Sequence, residues 1–287
     1  MIQATAVPPR PALRWHGGKW RNAPWIVRHF PKHRAYCEPY GGAASVLLQK
    51  QRSYVEFYND LDHKVVDLFR LLREPDEAAE LIRLLDLSPF SREEFERAYE
   101  PTTNRIEAAR RMIVRSFMGF GSDGTSGVYR TGFRSNVTSS GTAPASDWTS
   151  YPASLRLVAE RFRGVVIENI PAIDLMARID GPATLFYIDP PYLPSTRSKG
   201  NRRRGAGFHV YEHELTEQDH IALLTFLLEI EGMVVISGYP SALYDETLIG
   251  WRRVSKKAYA DGARVRTEVI WINPAAVAAM EHGPLFA

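Results

Sequence analysis

The sequence predicts an α/β fold built on a largely parallel sheet. Two observations carry this. Stretches of strand character alternate with stretches of helical periodicity along most of the chain, the pattern that βαβ units leave in a sequence. Residues 184–188 (TLFYI) also form a continuous apolar run between Gly181-Pro182 and Asp189-Pro190-Pro191. A central parallel strand covered on both faces reads this way. The chain has 287 residues, 45% hydrophobic and 24% charged, which excludes wholesale disorder, collagen and a coiled coil. Its length fits about two domains at roughly 150 residues each.

In chain order, residues 35–37 read as a short strand leading into Glu38-Pro39-Tyr40-Gly41-Gly42, and residues 43–50 as a helix. Residues 53–58 (SYVEFY) read as a strand, followed by a helix within 61–72. Helical stretches continue to about Met118; in one of them, 91–99, Ser91 and Glu94 make a capping-box pattern. Residues 119–150 are rich in Gly, Ser and Thr and read as long loops or short irregular strands. Such a stretch is uncommon in a compact domain unless it has a function. Strand 165–168, helix 172–178, strand 184–188, helix 216–230 with Thr216 as N-cap, and strand 233–237 follow. Strands 251–257 and 265–272, antiparallel around Asp261-Gly262, complete a sheet of about seven. The interruption between the second and third strands marks a second, smaller domain.

Cys37 is the only cysteine, which excludes an intramolecular disulfide framework and a cysteine zinc cage and fits a reducing, cytoplasmic location. It reads as a small buried strand residue rather than a nucleophile. No apolar run reaches the ~18 residues of a membrane span. The opening MIQATAVPPRPALRW lacks a basic n-region and an apolar h-region, so no signal peptide is expected. The net charge is only +3, but residues 102–163 carry nine arginines against four acids, and residues 197–204 (RSKGNRRR) carry five basic residues and no acid. Two positive segments on an acidic body fit a polyanionic partner; they also fit two solvated loops.

The strongest motif is Asp189-Pro190-Pro191-Tyr192, directly after the apolar strand, where open α/β sheets bind their ligands. The prolines stiffen the loop and offer carbonyls without competing N–H groups. With the Asp189 carboxylate they supply the two acceptors that an exocyclic amino group needs. Tyr192 adds a flat face on which a base stacks, worth ~1–3 kcal/mol. A plainer reading is an Asp capping a turn with Tyr in the core. The second motif, Glu38 to Ser45, is a small-residue turn from strand to helix, with Asp60 at the end of the next strand where a ribose-binding acid usually stands. It lacks G-x-G-x-x-G, so no pyrophosphate cradle is specified. The third is Trp15-His16-Gly17-Gly18-Lys19, which alone reads as an ordinary loop. His209 and His213, four apart, have no H-E-x-x-H pattern or cysteine partner, so no metal site is expected.

In this order the segments WHGGK (15–19), EPYGGAAS (38–45), NDLD (59–62) and DPPY (189–192) resemble the Dam-like, D12 or α-type DNA adenine N6-methyltransferases. The resemblance continues through 208–224, 234–240 and 264–273, and leaves out 75–163. Ala43 and Ala44 depart from it, standing where the family often has Gly. It implies a Rossmann-like S-adenosylmethionine-dependent sheet with an inserted, mainly helical target-recognition region. The catalytic domain is then 1–74 with 164–287, and the recognition region 75–163. It further implies cofactor contacts from Trp15, Lys19, Glu38, Tyr40, Gly42, Asp60 and Asp189, and a hold on the adenine by Asp189, Pro190 and Tyr192. The expected partner is double-stranded DNA, gripped by Arg202, Arg203 and Arg204 and read by Arg130 and Arg134, which flank Phe133 and follow Tyr129. The alternatives are a methyltransferase of another amine (cytosine N4, RNA adenine or a glutamine side chain), a nucleotide-binding oxidoreductase, and a catalytically inactive DNA-binding module. Asp189 disfavours the glutamine enzymes, which carry N-P-P-Y.

Overall fold

The computed structural model describes residues 6–121, 124–125, 130–135, 143–196, 213–259 and 265–282. Its seven strands are β1 (Ala35–Glu38), β2 (Val55–Asn59), β3 (Val165–Glu168), β4 (Thr184–Ile188), β5 (Met233–Gly238), β6 (Arg252–Tyr259) and β7 (Val265–Ile272). They form one sheet in the order β3-β2-β1-β4-β5-β7-β6. The first five strands in that order are parallel, and β7 runs antiparallel between β5 and β6. Every expected strand is present within two residues at either end; the Asp261-Gly262 turn lies outside the described residues. β4 and β5 are buried at every position.

Contacts group the chain into two compact units. One contains residues 21–41, 50–61 and 164–287, and so the whole sheet. With it go α1 (Ala23–Val27), α8 (Ala172–Ile179), α9 (Glu217–Glu229), α10 (Ala242–Thr247) and α11 (Pro274–His282). Leu175 and Met176 of α8 and Leu223, Leu224 and Leu227 of α9 share one core with Phe186, Ile188, Val234 and Trp271. Thr216 caps α9 through a reciprocal box with Asp219. Cys37 is buried in this core, and burial pushes its thiol pKa well up, as an inert strand cysteine requires.

The other unit contains residues 1–20, 42–49 and 62–163. It is helical: α2 (His63–Leu71), α3 (Pro75–Leu87), α4 (Arg92–Arg97), α5 (Arg105–Met118), α6 (Pro144–Thr149) and α7 (Tyr151–Phe162). Ser91 accepts from the Glu94 amide at 3.1 Å, but the Glu94 carboxylate turns to Arg110 at 2.8 Å, so only half of the expected capping box forms. Part of the stretch read as irregular is helix α6, with Pro144 in its first turn.

The expected helix over 43–50 is absent. Gly42 and Ala44 both take positive φ, 47° and 54°, and the segment winds as successive turns. Left-handed backbone interrupts a right-handed helix at its first residues. Several arginines of α5 have acidic partners within the unit. Arg105 pairs with Glu77, Arg110 with Glu107 and Glu94, and Arg111 with Glu107. Arg115 donates to the carbonyls of Ala98 and Gly124. These four cations hold helices and a loop together, while Arg105 itself stays exposed, as do Arg130, Arg156 and Arg163 of the same stretch.

Lys50 forms a buried ion pair at 2.7 Å with Glu56 of β2. The ammonium also donates to Ser53 Oγ and to the Gln51 carbonyl, and it lies 4.2 Å from the centre of the Tyr36 ring. Glu56→Leu leaves the buried ammonium without its carboxylate and should cost about 3–5 kcal/mol, read as a lowered urea midpoint. Adding Lys50→Met should restore most of that loss. An unchanged midpoint in the single variant would show that the pair carries no stability.

Candidate active site

Strand order reverses between β1 and β4: from β1 the chain steps outward to β2 and β3, and from β4 to β5. The crevice at the carboxyl ends of such strands is where open α/β sheets take their ligands. Two of the expected motifs emerge there. Parallel pairing sets Cys37 opposite Phe186, so Glu38 and the Ile188-Asp189 junction lie at the same edge of the sheet. Pairing of Glu38 with Tyr58 brings Asp60 to that edge as well.

Glu38 is almost wholly buried at the end of β1. Tyr36, two residues earlier and therefore on the same face, donates its hydroxyl to Glu38 Oε1 at 2.6 Å. Burial, then the Glu38 charge, raises the Tyr36 phenol well above its ordinary pKa, so it remains a donor. The turn after Glu38 is held by Asn59, which is fully buried. Asn59 Nδ2 donates to the carbonyls of Pro39 and Ile170 at 2.9 and 3.0 Å, and its Oδ1 accepts from the Ile170 amide. The Asn59 carbonyl accepts from the Gly41 amide at 2.8 Å. Asp60 follows, its own carbonyl held by Asn169 Nδ2 at 2.6 Å. Tyr40 lies near both Asp219 and Asp60; burial first, then these two charges, raises its hydroxyl pKa.

After β4, Pro190 is buried, while Asp189 and Tyr192 are partly exposed. The Tyr192 hydroxyl donates to Glu268 of β7, and its ring meets Tyr239 edge to face at 4.6 Å. Burial raises the Tyr192 pKa, and the charges of Glu268 and Asp189 raise it further. The Tyr187 and Ser237 hydroxyls hydrogen-bond at 2.9 Å between β4 and β5.

Within the helical unit, Gly18 and Trp15 close a turn through a 3.1 Å backbone hydrogen bond, and Lys19 donates to the Gly17 carbonyl at 2.9 Å. A Cβ on Gly42 would lie 2.6 Å from Trp15 Nε1, so Trp15 packs on the bare backbone of Gly42. Arg14 ties this segment to α5, its amide donating to Ser116 Oγ at 2.7 Å. Arg130 is exposed, with its guanidinium 5.2 Å from the centre of the Tyr99 ring. Arg134 is half-buried and donates to the Phe117 carbonyl at 3.2 Å. Residues 130–135 are fastened to the end of α5 by the Gly119–Phe133 bridge. Arg202, Arg203, Arg204, Tyr129 and His209 lie outside the described residues.

The sheet unit thus assembles Glu38, Tyr40, Asp60, Asp189, Pro190 and Tyr192, and the helical unit assembles Trp15, Lys19 and Gly42. Tyr36 and Glu268 escaped the sequence reading, and Asn59 was read within the NDLD segment but given no role. The i, i+2 position of Tyr36 before Glu38 and the strand-end position of Asn59 are the signals that point to them. Glu268 sits far along the chain in an ordinary strand pattern.

Chemically, carboxylates at the ends of neighbouring strands, spaced by about 4.8 Å per strand, suit a ligand that brings positive charge and hydroxyls. They do not suit a diphosphate. The turn that follows Gly42 provides no helix N-terminus for one either. A family model for D12 class N6 adenine-specific DNA methyltransferases matches residues 15–247. The chain belongs to that family. It is a DNA methyltransferase that acts on the N6 of adenine, which removes the cytosine, RNA, glutamine and oxidoreductase alternatives. The chain is 27% identical over 261 residues to the DNA adenine methylase of Salmonella typhi, covering 86% of this chain and 85% of that protein. Against the DNA adenine methylase of Escherichia coli K12 it is 27% identical over 251 residues, covering 83% of each. Against that of Serratia marcescens it is 24% identical over 233 residues, covering 79% and 82%. Among the described residues no helix is long and apolar enough to cross a membrane, and no cluster of His, Cys, Asp and Glu is arranged to hold a metal.

The turn at the end of β1 yields a test. A Cβ on Gly41 would lie 2.2 Å from Cε2 of the fully buried Tyr58 and 3.0 Å from the Asn59 carbonyl. Gly41→Ala should therefore displace the Tyr58 ring and destabilise the protein by about 1–3 kcal/mol in urea unfolding. A wild-type midpoint would mean that this turn is not tightly packed.

Proposed function

We propose that this enzyme transfers a methyl group from S-adenosylmethionine to the N6 amino group of an adenine flipped out of double-stranded DNA in the cytoplasm. The observation that carries this is the emergence of Asp189-Pro190-Pro191-Tyr192 from a wholly buried strand, beside the carboxyl ends of β1 and β2. The carboxylates there fit S-adenosylmethionine, whose sulfonium and ammonium are cations and whose ribose offers hydroxyls. Its contribution when bound is an activated methyl group on sulfur. On this reading Asp60 accepts from the ribose hydroxyls, and Glu38 faces the cationic part while one of its oxygens stays on Tyr36. By the family resemblance Tyr40 is a further cofactor contact of the sheet unit, and Trp15, Lys19 and Gly42 are the cofactor contacts of the helical unit.

The N6 lone pair is delocalised into the purine ring, so adenine is a poor nucleophile. The Asp189 carboxylate and the Pro190 carbonyl accept its two N–H bonds and draw the nitrogen toward tetrahedral geometry, which frees the lone pair. The new N–C bond forms as the methyl leaves sulfur. The positive charge then appearing on N6 is met by acceptors already in place, and the surplus proton leaves along the Asp189 hydrogen bond. Tyr192 stacks on the base and stabilises its extrahelical position, which costs a few kcal/mol to reach. Residues 75–163 supply target recognition, with exposed Arg130 reading a base edge. Arg202, Arg203 and Arg204 grip phosphates without regard to sequence.

Asp189→Ala removes the carboxylate acceptor at a strand end without opening the core. Methyl incorporation into adenine-containing duplex DNA should fall by at least about 10²–10³-fold while the unfolding midpoint stays near wild type. A folded variant with wild-type turnover would sink the assignment. Arg130→Ala should relax the sequence preference at a single base pair by ~1–3 kcal/mol, read by mapping methylated adenines in a random duplex library. A uniform loss across all sequences would instead make Arg130 a phosphate contact.

A further inference from the structure

We propose that Glu268 and Tyr239 are positioning residues that fix the plane of Tyr192. The proposal rests on the reading of Tyr192 as the face on which the target adenine stacks. A tyrosine has two rotatable side-chain bonds, and a stacking platform works only if the ring is already set when the base arrives. Two contacts set it. The hydroxyl at the far end of the ring donates to the Glu268 carboxylate, and Glu268 is itself buried. The ring also meets Tyr239 edge to face, with 4.6 Å between centroids and 76° between planes. Such a pair occupies at most one face of Tyr192, so Tyr239 leaves a face for a base. Tyr239 is held in turn by Arg266, whose guanidinium lies 5.0 Å from the centre of its ring.

The topology explains why β7 supplies these groups. β7 is antiparallel to β5, so its early residues lie beside the carboxyl ends of the parallel strands, where Tyr192 emerges. Glu268 and Arg266 are two apart on β7 and so share one face of the sheet. A fully parallel sheet would bring only strand ends and loops to this edge; the reversed strand brings side chains anchored in a ladder. Glu268 pairs with Lys256 and Arg266 with Ala258 across β6 and β7.

The test is steady-state methylation of plasmid DNA by the full chain, with kcat and the KM for S-adenosylmethionine measured separately. Tyr192→Phe keeps the ring and loses the hydroxyl. A charge-assisted hydrogen bond of this kind is worth enough to lower kcat by about tenfold, with KM for the cofactor unchanged. Glu268→Ala should lower kcat by a similar factor, and Glu268→Gln, whose amide oxygen still accepts, should restore most of it. The double variant Tyr192→Phe with Glu268→Ala should be no slower than either single variant, because both remove one bond. Multiplying losses in the double variant, or a wild-type kcat in Tyr192→Phe, would overturn the proposal; the latter decides it even if Glu268→Ala does not fold. Tyr192→Ala separates the two levels. If it is inactive while Tyr192→Phe is wild type, only the role of Glu268 fails. If Tyr192→Ala itself turns over normally, the stacking reading fails with it.

Discussion

The parallel pairing of β1 with β4 is the constraint on which the rest of the site depends. It joins two strands that are far apart in sequence, and it is where the strand order turns back on itself. β4 is buried at every position, so a one-residue slip of this pairing would exchange the side chains packed on its two faces. The acidic residue that ends β1 and the one that follows β4 then come out together as a consequence of core packing. The chemistry is placed at the edge by residues that take no part in it.

Loops at that edge need a second kind of support, since they have no ladder of their own. Buried amides supply it. Asn59 gives both ends of its side chain to the loops after β1 and β3, and its carbonyl to Gly41. At the opposite end of the sheet Asn273 does the same for β5. Its Oδ1 accepts from Val234 and Ala276, and its Nδ2 donates to Gly232. Asp180 accepts from the Glu231 and Gly232 amides that lead into the same strand. A buried amide with all its partners met is stiff, because leaving any one unmet costs about 1–3 kcal/mol. These residues turn strand ends into fixed points.

How far the sequence revealed this follows from which signals are local. All seven strands were legible because apolar runs and flanking turn residues are local, and a buried parallel strand such as TLFYI has few other readings. The Asp189–Tyr192 loop was legible for the same reason. Residues 43–50 misled because alanine and leucine favour helix, while what governs them is backbone at Gly42 and Ala44 that no propensity scale records. The partners of the α5 arginines were not legible because a count of charge does not show them: Glu77 and Glu94 lie on other helices. Glu268 was invisible because a single acid in a strand usually marks the solvent face, and only the antiparallel insertion of β7 turns it toward Tyr192.

The charge arrangement bears on how a polyanion can be the substrate at all. The sheet edge gathers Glu38, Asp60, Asp189 and Glu268, a field that draws a cationic methyl donor and repels phosphate. In the proposed reaction a neutral base swung away from the backbone meets these acids without bringing a phosphate to them. Among the described residues of α5, Arg105, Arg110 and Arg111 are paired with carboxylates, and Arg115 donates to backbone carbonyls. Arg130 is among the exposed cations of that unit, on a short segment pinned to the end of α5 with its guanidinium against the Tyr99 ring.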